Sequence, residues 1–240
     1  MTEWVLVTGG GRSIGGGICK RLKEEGYSVL VFDREDPDHD AVDDFTRVDL
    51  MDERHTAQAL EGALSGGRKI TRLVNNVGHV RPALLEDQTL EDFDDVMALN
   101  VRAAIQIGQA LAPGMRESGF GRIVSISSRA ALGKELRTAY AASKATLHGL
   151  TKTWALELAP AGVTVNCIGP GSIETPLWHR VNPADDPRTE QILKTIPVQR
   201  IGQPQDIANA VAFFLDARSG FVTGQVLYVC GGLTVGSARA

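Results

Sequence analysis

Short runs of apolar residues alternate along this chain with segments in which apolar positions recur every three or four residues. The runs read as strands buried on both faces, and the periodic segments as amphipathic helices. Strands are expected at Trp4 to Thr8, Ser28 to Phe32, Thr46 to Asp49, Ile70 to Asn75, Arg122 to Ile126, Thr164 to Ile168 and Gln225 to Val229. Helices are expected over about Ile14 to Glu25, Glu53 to Leu64, Glu91 to Met115, Tyr140 to Leu158 and Gln205 to Leu215. This order predicts an α/β fold, a doubly wound parallel sheet flanked by helices, in one domain over residues 1–240. No internal sequence repeat stands out.

The alternation is interrupted between Gly169 and Pro204. Pro170-Gly171 breaks the chain after a strand, Ser172 to Val181 reads as a short helix, and Asn182 to Pro187 reads as a flexible connection. Open α/β sheets bind ligands at the carboxyl ends of their strands, so residues 172–203 are expected to form a substrate lid, most mobile near Pro183 to Pro187.

Composition narrows the class. At 240 residues the chain is long enough for one large core and short for two independent domains. A formal net charge of -4 gives no general attraction to nucleic acid or to anionic membrane. The acidic stretch from Glu35 to Glu53 reads as a solvated edge. Cys19, Cys167 and Cys230 lie in apolar segments without metal-ligand spacing, so buried, reduced thiols and no metal site are expected. Met1 leads almost at once into the first strand and no apolar run is long enough to span a bilayer, which predicts a soluble cytoplasmic protein.

Candidate chemistry sits at the turns. Gly9, Gly10, Gly11, Arg12, Ser13, Ile14 and Gly15 follow the first strand and precede a helix, the arrangement that lets a diphosphate approach the backbone and meet a helix N-terminus. The second strand ends at Asp33, where a carboxylate can accept from the adenosine ribose hydroxyls. Tyr140 and Lys144 stand four residues apart and share a helix face, so the ammonium is expected to favour the phenolate. Moving a phenol from ~10 toward ~7 takes roughly 4 kcal/mol, more than one exposed ion pair supplies, so this spacing calls for a desolvated site with a cationic cofactor.

These segments, with Asn75-Asn76-Val77-Gly78, Asn100, Ser127-Ser128, Tyr140-Ala-Ala-Ser-Lys144 and Pro170-Gly171 through Thr175, occur in register over almost the whole chain. In this the chain closely resembles the classical short-chain dehydrogenase/reductase family, whose fold is Rossmann-like. Two positions depart from the family pattern. Ser13 stands where a glycine is usual, and is expected to cap the helix; Val77 replaces the alanine of the Asn-Asn-Ala-Gly segment, and is expected to narrow the space beside nicotinamide or substrate. The resemblance implies Tyr140 as acid/base, Lys144 as the group that lowers its pKa and contacts the nicotinamide ribose, Ser128 as holder of the substrate oxygen, and Asn100 as support through backbone and water. Ser127 competes with Ser128 for the catalytic assignment, and the alignment favours Ser128.

The same resemblance implies cofactor contacts from Gly9, Gly11, Arg12, Ser13, Ile14, Gly15, Asp33, Asp49, Leu50, Asn76, Val77, Gly78, Pro170, Gly171, Ile173 and Thr175, with Asn75 in support. Asp49 also reads as a simple strand-end turn. Asp33 favours NAD over NADP, against the cation at Arg12, which is free to turn toward Asp33 or the diphosphate. Leu136 and Trp178, with Ser128 and Tyr140, are expected to touch substrate; His79, Arg81, Leu132, Arg137, His179 and Arg180 are further candidates for the pocket or its mouth. The expected activity is NAD-dependent interconversion of a secondary alcohol and a ketone. Reduction of a 3-oxoacyl thioester with NADPH is the alternative, and a catalytically silent nucleotide-binding protein a third reading. The resemblance further implies a homotetramer or homodimer, with no nucleic-acid or membrane partner.

Overall fold

The computed structural model describes residues 3–183 and 185–236. The expectations that touch Met1, Ala184 within the lid and the last four positions of the 1–240 span fall outside the described residues. Seven strands form one sheet: β1 (Trp4–Thr8), β2 (Ser28–Asp33), β3 (Asp44–Arg47), β4 (Ile70–Asn75), β5 (Gly121–Ile126), β6 (Val163–Pro170) and β7 (Val226–Val229). Their order is β3-β2-β1-β4-β5-β6-β7, and every neighbouring pair is parallel. The order reverses between β1 and β4, the position at which open sheets leave a crevice for a ligand.

The helices are α1 (Ser13–Glu24), α2 (Glu53–Ser65), α3 (Leu90–Met97), α4 (Ala103–Ser118), α5 (Thr138–Leu158), α6 (Pro176–Val181), α7 (Pro187–Thr195) and α8 (Pro204–Leu215). Period-two alternation on β1 divides the core. Val5 and Val7 pack with Ile18 and Leu22 of α1 and with Ile207, Val211 and Phe214 of α8. Leu6 turns the other way, toward Leu60 of α2, Ile107 and Leu111 of α4 and Leu158 of α5. Each such fully buried aliphatic or aromatic side chain stabilises the fold by about 1.5–3 kcal/mol relative to exposure. Cys19, Cys167 and Cys230 are free and buried, as the apolar context predicts. Among the described residues no helix is long and apolar enough to cross a membrane.

Three elements differ from the pattern reading. The helix expected over Glu91 to Met115 is α3 and α4 joined by a π-helical turn, Ala98–Arg102, which inserts a residue into the ladder and reaims the side chains around Asn100. The third strand is Asp44–Arg47 rather than Thr46 to Asp49. The connection after Asn182 contains α7, because Pro187 opens a helix instead of only breaking one: proline's fixed φ and missing N–H suit the first helical turn.

Candidate active site

The glycine-rich turn is held in shape by its neighbours. Thr8 Oγ1 accepts from the N–H groups of Asn76 (3.0 Å) and Val77 (3.1 Å), and Asn76 Nδ2 donates back to Thr8 O (3.0 Å) and Gly9 O (2.9 Å), tying the ends of β1 and β4 together. Gly15 has no room for a side chain, since a Cβ there would lie 2.0 Å from Gly9 O. His39 closes the turn from outside: its Nε2 bonds Gly10 O at 2.9 Å, and its Nδ1 accepts from Ala41 N–H at 3.2 Å. Gly16 N–H is bonded to Arg12 O at 2.9 Å. The N–H groups of Ser13, Ile14 and Gly15 therefore precede the first intrahelical bond and suit an anion.

One expectation fails here, the Ser13 cap. Arg12, not Ser13, occupies the cap position of α1, and no side chain caps it. Ser13 has φ +52°, a left-handed conformation that explains why glycine is the usual residue. Arg12 turns neither to Asp33 nor toward the turn, but pairs with Glu35 (2.8 Å) and donates to Asp36 O (3.3 Å). Asp33 ends β2 with its carboxylate oriented by Gly11 N–H (3.0 Å) and Glu35 N–H (3.3 Å). Ile14 packs on the core, and Val77 packs beside the opposite core cluster.

Past β4, Asn100 organises the centre. It is buried in the π turn, and its side chain is fully used. Nδ2 donates to His79 O (3.0 Å) and Ser143 Oγ (2.9 Å), while Oδ1 accepts from His79 N–H (2.9 Å). Ser143 Oγ donates onward to Tyr140 O at 2.8 Å. Gly78 lies under this bridge; a Cβ would stand 3.0 Å from Asn100 Oδ1 and 3.1 Å from Lys144 Nζ. Asn75 at the end of β4 is buried, with neither amide atom bonded within the protein.

The two adjacent serines have different roles. Ser127 is buried, with Oγ at 2.8 Å from Lys144 O and 2.9 Å from His148 Nε2. Donation to the carbonyl leaves that oxygen to accept from the imidazole, so Ser127 has no proton left for a substrate. Ser128 Oγ accepts from Ala130 N–H at 3.1 Å and stands beside the Tyr140 phenol, which it helps to favour as the phenolate. Burial pushes the Tyr140 phenol above its ordinary value, with Ser128 and the charge of Arg137 pulling the other way. Lys144 is buried and its ammonium donates to Ile126 O at 2.8 Å, 5.8 Å from the centre of the Tyr140 ring. Its pKa is pulled down to about 8, chiefly by desolvation. Within the chain itself, then, Ser128 and Arg137 are the groups that favour the phenolate.

His148 is a site residue that motif reading missed. It lies eight residues after Tyr140 and four after Lys144, so the i, i+4, i+8 spacing on α5 is the signal that finds it. His39 carries no comparable signal, because loop contacts do not follow a period, whereas Ser143 sits on α5 three residues after Tyr140, inside the quoted motif.

The remaining candidates lie past the carboxyl ends of the strands. Asp49 Oδ1 accepts from Met51 N–H at 2.9 Å, which is the turn role considered for it, and Leu50 is buried. Pro170 ends β6, and Gly171 N–H donates to Val229 O at 3.0 Å. Ile173 buries its side chain against Gly202, leaving its backbone for a ligand. Thr175 caps α6 by accepting from Trp178 N–H at 3.2 Å, and its hydroxyl proton stays available. Trp178 is half-buried on α6, and Leu136 is exposed before α5. Arg81 pairs with Asp92 and Asp95, and His179 with Glu174. A cavity of about 200 Å³ lined by Ile173, Ile196, Asp206 and Cys230 does not include Ser128, Tyr140 or Lys144.

Residues 9–234 match the family model described as Enoyl-(Acyl carrier protein) reductase. The chain is 35% identical over 237 residues to the (2S)-[(R)-hydroxy(phenyl)methyl]succinyl-CoA dehydrogenase subunit BbsD of Thauera aromatica, covering 95% of this chain and 94% of that one. It is 33% identical over 242 residues to the 3-oxoacyl-[acyl-carrier-protein] reductase FabG of Thermotoga maritima, covering 96% and 97%. Among solved structures, one from Beutenbergia cavernae, described as an NAD(P)-dependent gluconate 5-dehydrogenase with NADP bound at low occupancy, is similar with a TM-score of 0.91 at 32% identity, over 98% and 97% of the two chains.

Proposed function

Since this chain belongs to the classical short-chain dehydrogenase/reductase family and is a pyridine-nucleotide oxidoreductase of small molecules, we propose that it interconverts a secondary alcohol and a ketone with NAD(H), using Tyr140 as acid/base. The observation that carries this is Ser128 beside the Tyr140 phenol and buried Lys144, at the carboxyl ends of the strands, where the glycine turn also lies.

The residues fit such a cofactor. The α1 N-terminus and the close-packed turn at Gly15 suit the diphosphate, Asp33 the adenosine ribose, Asp49 and Leu50 the adenine, and Asn76, Val77 and Gly78 the path between. Pro170, Gly171, Ile173 and Thr175 line the nicotinamide end, with Lys144 at its ribose. When bound, nicotinamide supplies or takes the hydride and, oxidised, adds positive charge near the phenol. Tyr140 then exchanges the hydroxyl proton while Ser128 holds the same oxygen, two oriented hydrogen bonds where alkoxide character develops. Asn100 fixes the loop and α5 on which this geometry depends.

Preference for NAD rests on charge. A phosphate on the adenosine ribose would face the Asp33 carboxylate, and the nearby cations Arg12 and Arg34 are already drawn to Glu35, at 2.8 and 3.6 Å. The NADP found in a solved relative is the counterargument, and the 3-oxoacyl reductases among the relatives keep NADPH-linked thioester reduction as the second reading. Residues 172–203 serve as the lid, with Trp178 and Leu136 at the substrate. Buried reduced thiols support a cytoplasmic protein, and the family a homotetramer.

The test is turnover with NAD(H) and NADP(H) across matched secondary alcohols, ketones and 3-oxoacyl thioesters, with Tyr140→Phe as control. NAD-linked turnover of alcohol/ketone pairs, lowered at least about 100-fold in Tyr140→Phe, is expected. NADPH-linked reduction confined to the thioesters would select the second reading.

A further inference from the structure

Cations at the mouth of the cleft divide into two groups. On one side Arg81 is held by Asp92 and Asp95 (3.4 and 3.6 Å), and on α6 His179 is held by Glu174 (2.9 Å). Arg129, Lys134 and Arg137 have no carboxylate partner among the described residues, in a chain whose net charge is -4. The one acid among them, Glu135, is exposed and pairs with none of the three.

Their placement ties them to the catalytic pair. Arg129 directly follows Ser128, at the start of the 3-10 turn that the Ser128 hydroxyl caps. Arg137 is the cap residue of α5, three positions and so about 4.5 Å of helix rise before Tyr140, and its charge acts on that phenol. The connecting loop is braced. Ala83 N–H donates to Leu136 O at 3.3 Å, residues 83 and 137 form a short parallel bridge, and Arg137 Nη1 donates to Leu136 O at 2.9 Å. Leu136 itself has φ +59°, a left-handed conformation that a leucine keeps only where the surroundings impose it. The Lys134 ammonium is held below the ordinary lysine value by partial desolvation and then by Arg129 and Arg137. Three like charges are thus gathered on a strained, pinned loop with nothing to neutralise them.

We infer that the 129–137 edge receives a carboxylate carried by the substrate a few bonds from its reacting carbon, so that the substrates are keto acid and hydroxy acid anions. This rests on the alcohol/ketone reading and narrows its substrate class. Arg137 stands three residues before Tyr140 at the start of α5 and its charge acts on the proton-transfer group, whereas in a coenzyme A thioester the phosphates sit at the far end of a long pantetheine arm. A cation this close to Tyr140 meets a carboxylate on the reacting fragment, and a planar guanidinium holds it bidentately.

The experiment pairs acetoacetate, levulinate and benzoylformate with their ethyl esters, and adds acetoacetyl-CoA as the phosphate-bearing comparison. Turnover is measured with the reduced cofactor, and binding by calorimetry with the oxidised cofactor present, for the wild type, Arg137→Gln and Lys134→Gln. At least one acid is expected to bind, and to be reduced, roughly tenfold or more better than its ester. That acid-to-ester ratio should fall toward one in Arg137→Gln and decline in Lys134→Gln, whose exposed position leaves the fold intact. Equal handling of every acid and ester, equal loss for both in the variants, or a loss confined to acetoacetyl-CoA overturns the inference. Charge-dependent binding without reduction of any member leaves the carboxylate edge standing and sinks the hydride-transfer reading instead.

Discussion

A lysine ammonium taken out of water and given one carbonyl, Ile126 O, is a costly group, and its pKa of about 8 measures that cost. The unfolded chain holds the proton up to ~10.4, so between these values the unfolded state binds more protons and stability rises with pH. The contribution is fully present above ~10.4 and is lost as pH falls through about 8. Comparing the wild type with Lys144→Met cancels the other titrating groups. The stability of the wild type relative to the variant is expected to rise by roughly 2 kcal/mol between pH 7.5 and 9.5, read from urea unfolding. A flat difference would show that the ammonium is not desolvated. Ser13 offers the opposite case, a cost of backbone rather than charge. At φ +52° a serine is held where glycine is at ease, so Ser13→Gly should stabilise the fold by about 0.5–1 kcal/mol after glycine's own entropy cost, seen as a higher Tm.

At the scale of elements the π turn between α3 and α4 has the most to do. It delivers Asn100 to a point where one side chain clamps the loop at His79 and, through Ser143, the backbone of Tyr140. Asn100→Ala leaves those buried groups without partners, and is expected to cost about 2–3 kcal/mol in denaturant unfolding and to lower kcat more than it raises KM for the cofactor. An unchanged kcat would mean that the clamp serves stability alone. The same element shows where sequence reading stops. Strands such as Val29 to Phe32 were legible because both faces are buried, and α5 because Tyr140, Lys144 and the apolar positions obey one period. The inserted residue at Asn100 obeys none, so a single long helix was expected there. Pro187 was ambiguous because proline both ends and begins helices, and Ser13 misled because a serine before a helix usually caps it. Ser127 and Ser128 were separated only by their partners, which lie on α5 and are set by packing.

Across the whole molecule the two ends of the sheet do different work. The carboxyl ends of the strands carry the candidate site, while near their amino ends two buried arginines, Arg72 and Arg122, stand side by side on β4 and β5. Arg72 is stacked between Tyr27 (4.6 Å) and Phe120 (4.7 Å), donates to Leu215 O (3.0 Å) and pairs with Glu3 (3.2 Å). Arg122 lies over Phe120 (4.3 Å) and donates to Gly162 O (3.2 Å), Asp216 O (3.3 Å) and Ala217 O (3.1 Å). Together they fasten the C-terminal end of α8, whose N-terminal end, about 18 Å away at 1.5 Å per residue, meets the segment after β6 through Gln203 and Glu174. Arg72→Met keeps volume and apolar stem but strands the Leu215 carbonyl and removes the stack, while relieving an unbonded buried Nη1. The balance is a loss of about 2 kcal/mol, which lowers Tm by roughly 4–8 °C in a chain of this size. Because packing and not charge links that end to the cleft, kcat and KM measured well below the transition should not move. A fall in kcat without a change in Tm would show instead that α8 transmits the position of its anchored end to the segment after β6.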